Sequence, residues 1–361
     1  MKVLAVASEA YPLVKTGGLA DVVGALPRAL KPFGIEVRTM LPGYPAVTAA
    51  LGEAKTVHRY ADLFGGPAQL VAGNARGLDV IALVAPHLFD RPGNIYLGPD
   101  GKDWSDNAER YAAFALAAAG IARGLIKGYA PNLVHAHDWQ GALVPVYLKF
   151  GGHGPPCVLT VHNIAFQGLF PATIFPALHL PKEAFAIDGL EYYGSVSYLK
   201  GGLQTAQAIT TVSPGYAQEI CNSDFGMGLD GVLRSRRGVV SGIVNGIDTE
   251  VWNPATDADI AATYDADTLD RRAINKRAVE RRFGLETGDG ILHCVVSRLT
   301  GQKGMDILSS SLDWLADSGA RLALLGSGDA MIEAGIHAAA ARHKGRIGVV
   351  TGYDEALSHL L

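Results

Sequence analysis

Cysteine is sparse in this chain, with three in 361 residues, and Cys157, Cys221 and Cys294 form no C-x-x-C pair. So few, in odd number and without ligand spacing, exclude a disulfide scaffold and a zinc ribbon, and they point to a reducing compartment. Two of them lie in strand-like apolar runs, Cys157-Val158-Leu159 and His293-Cys294-Val295-Val296, where they read as small core residues. An excess of one charge is also missing. The net charge is −4 and no block of five like charges occurs, so nucleic acid and anionic membrane surfaces are excluded as partners. No apolar run approaches the length of a membrane span. The N-terminal run, Val3–Ala7, is too short for a signal-peptide core and is followed by Glu9 and Lys15, so a cytoplasmic location is expected.

The composition that remains is 48% hydrophobic and 18% charged, enough to bury a large core in two ordinary domains or one large α/β unit. Apolar runs predict strands at 2–8, 36–41, 78–85, 133–137, 157–162, 208–213 and 239–244, then at 291–297, 321–325 and 347–351. Several are continuously apolar, as parallel strands buried on both faces are. Helical patterns separate them, notably at 20–30, 107–127, 139–150, 214–220, 269–283, 305–317 and 330–342. Ser213-Pro214 has the cap-then-proline order of a helix start. This βα rhythm predicts an α/β fold with doubly wound parallel sheets. Turn residues from Val244-Asn245-Gly246 to Asn253-Pro254 place a domain boundary there, giving units 1–243 and 244–361. The second holds only three convincing strands and ends inside an apolar helical pattern, so it is expected to be incomplete.

In open α/β sheets ligands bind beyond the carboxyl ends of the strands, which makes the residues after each run the candidates. Lys15-Thr16-Gly17-Gly18-Leu19-Ala20-Asp21-Val22 follows the first strand and opens a helix. Adjacent glycines permit close backbone approach, and the helix start and Lys15 favour an anion, although the spacing is neither the P-loop nor G-x-G-x-x-G. A plain tight connection is the alternative. His135-Ala136-His137-Asp138-Trp139-Gln140 and His162-Asn163-Ile164 follow two further strands, and Arg298-Leu299-Thr300-Gly301-Gln302-Lys303-Gly304 and Gly326-Ser327-Gly328 follow two in the second unit. His135, His137 and Asp138 could ligate a metal, but no further His/Cys pair has ligand spacing, so no metal is expected. Each remaining group has an ordinary structural reading as a turn, a solvated helix entrance or a packed ring. The recurrence of polar groups at one sheet edge, with cations in both halves, favours a phosphorylated small molecule.

Seven motifs in order, K-T-G-G-L-A-D-V-V-G-A-L-P, H-A-H-D-W-Q, H-N-I-A-F-Q-G, L-K-G-G-L, T-T-V-S-P-G-Y-A, G-I-V-N-G-I-D and S-R-L-T-G-Q-K-G, resemble those of bacterial glycogen synthases and plant starch synthases. The resemblance runs over essentially the whole chain. It implies a GT-B enzyme of two Rossmann-like domains, the first the acceptor-side starch synthase domain and the second, partial one the nucleotide-sugar side. It further implies a retaining glucosyltransferase that moves glucose from ADP-glucose to the non-reducing end of an α-1,4-glucan, with no cofactor. Carried onto these positions, it implies that Lys15, Arg298 and Lys303 with the Gly18 backbone meet the diphosphate. Asp138, His162 and Asn163 would contact the donor glucose, with His162 positioning the sugar and Asn245 near the hinge. Tyr353 would stack on adenine, and Glu9, Tyr96 and Trp139 would line the acceptor channel.

Two departures from the family pattern stand out. Gly301 replaces a usual Trp, which is expected to loosen the turn carrying Arg298 and Lys303, and the family's glutamate-bearing E-x7-E segment is not among the 361 residues. The chain is therefore expected to hold an incomplete site. The competing expectations are a truncated homologue that only binds glucan or nucleotide, and an α-glucan phosphorylase, for which no pyridoxal-lysine site is visible.

Overall fold

The computed structural model describes residues 1–152 and 154–361. The backbone divides into two compact units, Met1–Gly246 and Ile247–Leu361, three residues beyond the boundary predicted from turn composition.

The first unit is built on a nine-stranded sheet. Its strands are β1 (Lys2–Val6), β2 (Glu36–Pro42), β3 (Lys55–Tyr60), β4 (Ala68–Ala75), β5 (Leu78–Val84), β6 (Leu133–His137), β7 (Cys157–Val161), β11 (Ala208–Thr211) and β12 (Val240–Gly242), while β8 (Leu169–Pro171), β9 (Glu191–Tyr192) and β10 (Ser195–Ser197) form a small antiparallel sheet. The large sheet runs β12-β11-β7-β6-β1-β2-β5-β4-β3. Its first seven strands are parallel, and β4 and β3 add an antiparallel edge. That edge was not anticipated: in β3 and β4 charged and polar residues interrupt the apolar run, as suits strands at a half-solvated margin.

Burial explains the parallel part. Leu4, Val6, Met40, Leu41, Val134, Leu159, Val161 and Ile209 are all fully buried or nearly so, because helices cover both faces. One is Asn107–Ala122, whose run of alanines is buried on nearly every side and lets its backbone lie close to neighbours. The L-K-G-G-L stretch serves packing as well. A Cβ on Gly201 would come within 2.4 Å of Leu190, and one on Gly202 within 2.7 Å of the Ala142 carbonyl oxygen.

The second unit has three parallel strands, β13 (Leu292–Val296), β14 (Arg321–Gly326) and β15 (Ile347–Thr351), in that order. The central strand shows the double winding directly. Leu322 and Leu324 face a cluster with Leu312 and Ile336, whereas Ala323 and Leu325 face Val279, Phe283 and Leu357. Beneath the strands, Arg321 and Glu280 form a buried ion pair, which Arg321 supplements with bonds to the carbonyls of Gly288 (2.8 Å) and Gly290 (2.9 Å). Both charges are thereby compensated inside the unit.

Candidate functional site

Strand order in the first unit reverses between β1 and β6: the chain runs out through β2 and β5 on one side and through β7, β11 and β12 on the other. The crevice outside the carboxyl ends of these two strands is where such sheets bind ligands. Ser8 and Glu9 follow β1 there, and Asp138 follows β6.

Glu9 is 4% exposed. Its Oε2 accepts the Thr16 backbone N–H, and its Oε1 accepts the Thr16 hydroxyl at 2.9 Å and the Tyr96 hydroxyl at 3.0 Å. The Tyr96 hydroxyl also meets Ser8 Oγ at 2.7 Å. Glu9 therefore ties the Lys15–Gly18 loop and the Tyr96 loop to the end of β1. Burial raises the Glu9 carboxyl above its ordinary pKa, and these hydrogen bonds oppose the rise. The Tyr96 loop is fixed from below by buried Arg110, which donates to the carbonyls of Leu88 (2.8 Å) and Ile95 (3.1 Å).

Helix Gly18–Leu30 begins at the loop that Glu9 holds, with Gly17 as its N-cap and no side-chain cap. Its first N–H groups have no intrahelical acceptor, as at any helix start. A Cβ on Gly17 or Gly18 would meet nothing within 4 Å, so no part of the chain requires glycine at either position. Lys15 Nζ stands 3.0 Å from Asp21 on the first turn of that helix.

Across the crevice, Asp138 adopts a left-handed backbone, φ 49°, which turns its carboxylate toward the end of β7. Asp138 Oδ1 accepts the His162 backbone N–H at 2.7 Å, and the Asn163 N–H also bonds to this carboxylate. Burial nevertheless raises its pKa to about 7, with the Glu9 charge adding in the same sense. Burial pushes His162 down to about 4, so its imidazole is neutral at pH 7. The turn after His162 is secured by Asn163 Oδ1, which accepts the Ala165 N–H at 3.0 Å, and by the Tyr216 hydroxyl, which accepts the Ile164 N–H at 3.1 Å. Tyr216 lies in the helix capped by Ser213 Oγ, within a motif to which the sequence reading gave no site role.

Trp139 is placed differently from a channel wall. It is 9% exposed and packs in the core against Tyr111 (centroids 4.9 Å apart), Phe170 (5.8 Å) and Tyr198 (6.3 Å). The structure uses it to seat the Asp138 turn. Asn245 is exposed and follows β12, three strands from β6 at the sheet margin.

In the second unit, Arg298 and Lys303 are exposed in the segment after β13. The segment is pinned by the Leu299 N–H to Ser327 O (2.9 Å) and the Asp329 N–H to Leu299 O (2.8 Å). The approach is so close that a Cβ on Gly326 would lie 2.0 Å from Ser297 O, and one on Gly328 2.4 Å from Leu299 O. Gly301 does not leave the turn loose. Backbone bonds from Lys303 to Thr300 (3.0 Å) and from Gly304 to Gly301 (2.9 Å) close it without any side chain at that position. Tyr353 is exposed in the turn after β15, with its hydroxyl on Glu355.

Among the described residues, one group has metal-ligand geometry: Asp257, Asp259 and His359, with donor atoms within 4.8 Å of one another. Asp257 Oδ2 and His359 Nδ1 are already bonded to each other at 2.6 Å, and the His359 ring stacks on Trp252. A nearby cleft of about 570 Å³, lined by Trp252, Tyr264, Arg272, Lys276 and His359 among others, contains none of the expected site residues. Among the described residues no helix is long and apolar enough to cross a membrane.

Residues 2–235 match the starch synthase catalytic domain family. The chain is 57% identical over 363 residues to the glycogen synthase of Acidiphilium cryptum, covering 100% of this chain and 76% of that protein. It is 55% identical over 358 residues to that of Rhodopseudomonas palustris strain HaA2, covering 99% and 74%. Among solved structures, the catalytic domain of starch synthase IV from Arabidopsis thaliana, bound to ADP and acarbose, superposes with a TM-score of 0.87 at 29% identity, over 99% of this chain and 75% of that one. The chain thus spans about three quarters of the length of these relatives.

Proposed function

This chain belongs to the family of bacterial glycogen synthases and plant starch synthases, a GT-B family of glucosyltransferases, and we propose that it transfers glucose from ADP-glucose to the non-reducing end of an α-1,4-glucan. The observation that carries the reading is the open pair Gly17-Gly18 beside Lys15, in the loop after β1 at the strand-order reversal where the Asp138–His162 turn follows β6 and β7. The relatives' name and the ADP held by the Arabidopsis enzyme support the choice of donor and acceptor. In this reading Met1–Gly246 is the acceptor-side unit and Ile247–Leu361 the nucleotide side, and the reaction takes place in the cytoplasm.

The glucose C1–O bond to the diphosphate breaks, and ADP leaves with the electron pair. The acceptor 4-hydroxyl oxygen bonds to C1 on the same face, and its proton passes to the departing phosphate. Charge grows on the diphosphate as the bond lengthens, and preorganised cations and N–H groups stabilise it. Lys15, the Gly18 N–H, Arg298 and Lys303 are assigned to that anion. His162, neutral at working pH, donates a hydrogen bond to the sugar instead of acting as an acid. Asp138 and Asn163 shape the same turn, and Tyr353 stacks on the base. Glu9 and Tyr96 hold the Lys15 loop, so their effect on the acceptor is indirect.

The test is incorporation of labelled glucose into glycogen from ADP-glucose and, separately, from UDP-glucose. In a version extended to the length of its relatives, incorporation that prefers ADP-glucose and disappears in K15Q is expected, and little or none in the 361-residue chain. Folded protein, extended to the length of its relatives, that incorporates label from neither donor overturns the reading.

A further inference from the structure

We propose that His137 is a positioning residue that locks His162 into the tautomer carrying its proton on Nδ1. The proposal rests on the reading above only in taking His162 as a group that faces the donor sugar.

His137 ends β6, and His162 lies one residue beyond the adjacent β7. Their rings sit 5.3 Å apart with 35° between planes, and His137 Nδ1 is 3.0 Å from His162 Nε2. Two neutral imidazoles in this contact share one proton, and either ring can own it. Burial keeps both neutral near pH 7: His137 is held well below the usual histidine range and His162 lies at about 4.

The far side of His137 decides ownership. Its Nε2 is buried with no hydrogen-bond partner. If His162 donated through Nε2, His137 would accept at Nδ1 and carry its own proton on Nε2, leaving a buried N–H with nothing to accept it. If His137 donates through Nδ1, only a lone pair is left on Nε2. Orphaned buried N–H groups are the rarer defect. Neighbouring His135 does not change this choice: its ring lies 4.1 Å away, and its Nε2 is engaged with Thr160 Oγ1 at 2.7 Å, which continues to Thr210 Oγ1 at 2.6 Å.

His162 Nε2 is therefore an occupied acceptor, and its proton sits on Nδ1. The bond made by one ring nitrogen sets the state of the other. The chemical consequence is directional. His162 offers a single fixed N–H to a substrate hydroxyl, and its only lone pair is committed to His137, so it does not serve as a base. An imidazole released from this contact reverts toward the Nε2–H form that predominates in water, which turns an acceptor toward the sugar.

Long-range ¹H–¹⁵N correlation spectra of the full chain, labelled in histidine and recorded near pH 7, read the tautomer directly, with the His162 signals assigned by their loss in H162N. The expected spectrum has His162 protonated at Nδ1 alone. A wild-type His162 protonated at Nε2, or at both nitrogens, overturns the proposal, and this holds even if no His137 variant folds. In H137L the His162 proton should move to Nε2 and kcat should fall at least tenfold, with KM for glycogen unchanged. H137N, whose amide reaches the Nδ1 position, should restore both the tautomer and most of kcat. An H137L enzyme that keeps the Nδ1–H signal and full kcat also refutes the lock. The expected spectrum in a protein that transfers no glucose even when extended to the length of its relatives leaves the lock standing and discards the functional reading.

Discussion

Gly18→Ala separates folding from function because the structure sets no protein atom against the new methyl group. The Cβ would meet nothing within 4 Å, and Gly18 is the first residue of a regular helix without a positive φ. Alanine in a helix is favoured over glycine by up to about 1 kcal/mol. Stability should therefore rise by roughly 0 to 1 kcal/mol, a shift in Tm of no more than about 4 °C for a unit of this size. The same methyl occupies the space through which an oxygen of the donor diphosphate would reach the backbone N–H. Loss of one preorganised donor of this kind costs about 10²–10³ in kcat. Gly24→Ala, six residues further along the same helix, is the contrasting variant. Its Cβ would lie 2.1 Å from the Tyr11 carbonyl oxygen, so it should lose stability by roughly 1–3 kcal/mol or more through overpacking. Thermal unfolding of each variant, alongside labelled transfer from ADP-glucose to glycogen, gives both readouts. A Gly18→Ala protein with unchanged Tm and unchanged kcat/KM would show that the paired glycines are only a tight connection, and the anion-cradle argument would fail.

Arg298→Gln and Lys303→Gln alter exposed residues and should leave stability within about 0.5 kcal/mol. Each should lower kcat/KM for ADP-glucose by roughly 10²-fold or more, measured against denaturant curves of the same samples. Gly328→Ala should destabilise the second unit, since its Cβ would sit 2.4 Å from Leu299 O, whereas Gly301→Trp should fold normally because the nearest atom to that Cβ is Asp306 Oδ1 at 4.0 Å; differential scanning calorimetry checks both. Stability of the substrate-free protein should fall as pH drops from about 6.5 toward 4. In that window unfolded His135, His137 and His162 take up protons that the folded groups refuse, with His135 and His162 held at about 4. Asp138, at about 7 when folded, and the raised Glu9 act in the opposite sense, retaining protons that the unfolded chain releases. Three histidines outnumber two carboxyls, so the net slope is positive, about 1.4 kcal/mol per pH unit for each net proton. Urea unfolding at a series of pH values should lose that slope in a variant with both His135 and His137 replaced by Leu.

Much of the fold was legible because its central strands are buried on both faces. Continuous apolar runs such as Val3–Val6, Ile81–Val84 and Leu322–Leu325 announce themselves without help from their neighbours. The antiparallel margin escaped notice for the opposite reason. Lys55–Tyr60 and Ala68–Ala75 mix polar and apolar residues, with a register shift between Thr56 and His58, so neither clean alternation nor a continuous run survives. The small sheet of Leu169–Pro171, Glu191–Tyr192 and Ser195–Ser197 is made of segments too short for any period to show. At the site, the residue types and the sheet edge were readable, since Asp138 and His162 each stand just beyond a strand and Lys15 lies in the loop between β1 and its helix. Their partners were not readable: that the Tyr216 hydroxyl holds the Ile164 N–H, or that Thr16 occupies Glu9, depends on contacts between residues distant in sequence or on loop closure.

The two buried carboxylates show why spacing alone could not assign roles. Glu9 and Asp138 both lie just past strand ends at the reversal, where a carboxylate facing substrate would be placed. Both instead accept backbone N–H groups from a neighbouring loop, Glu9 from Thr16 and Asp138 from His162 and Asn163. A buried carboxylate needs such donors, and each acceptor bond it makes fixes a main-chain position. Neither loop can shift without stripping a low-dielectric carboxylate of its partners. The glycine pair and the His162 turn are thereby held in place before any ligand arrives. Preorganisation of this kind is what charge stabilisation in a transition state requires, because groups already oriented are not reoriented during the reaction. It also accounts for Asp138 lying in the left-handed region: an extended residue continuing β6 would point its side chain out to one face of the sheet instead of across to the end of β7. The cost of that backbone, on the order of 1 kcal/mol, falls at the one position where it joins the two strand ends that carry the site.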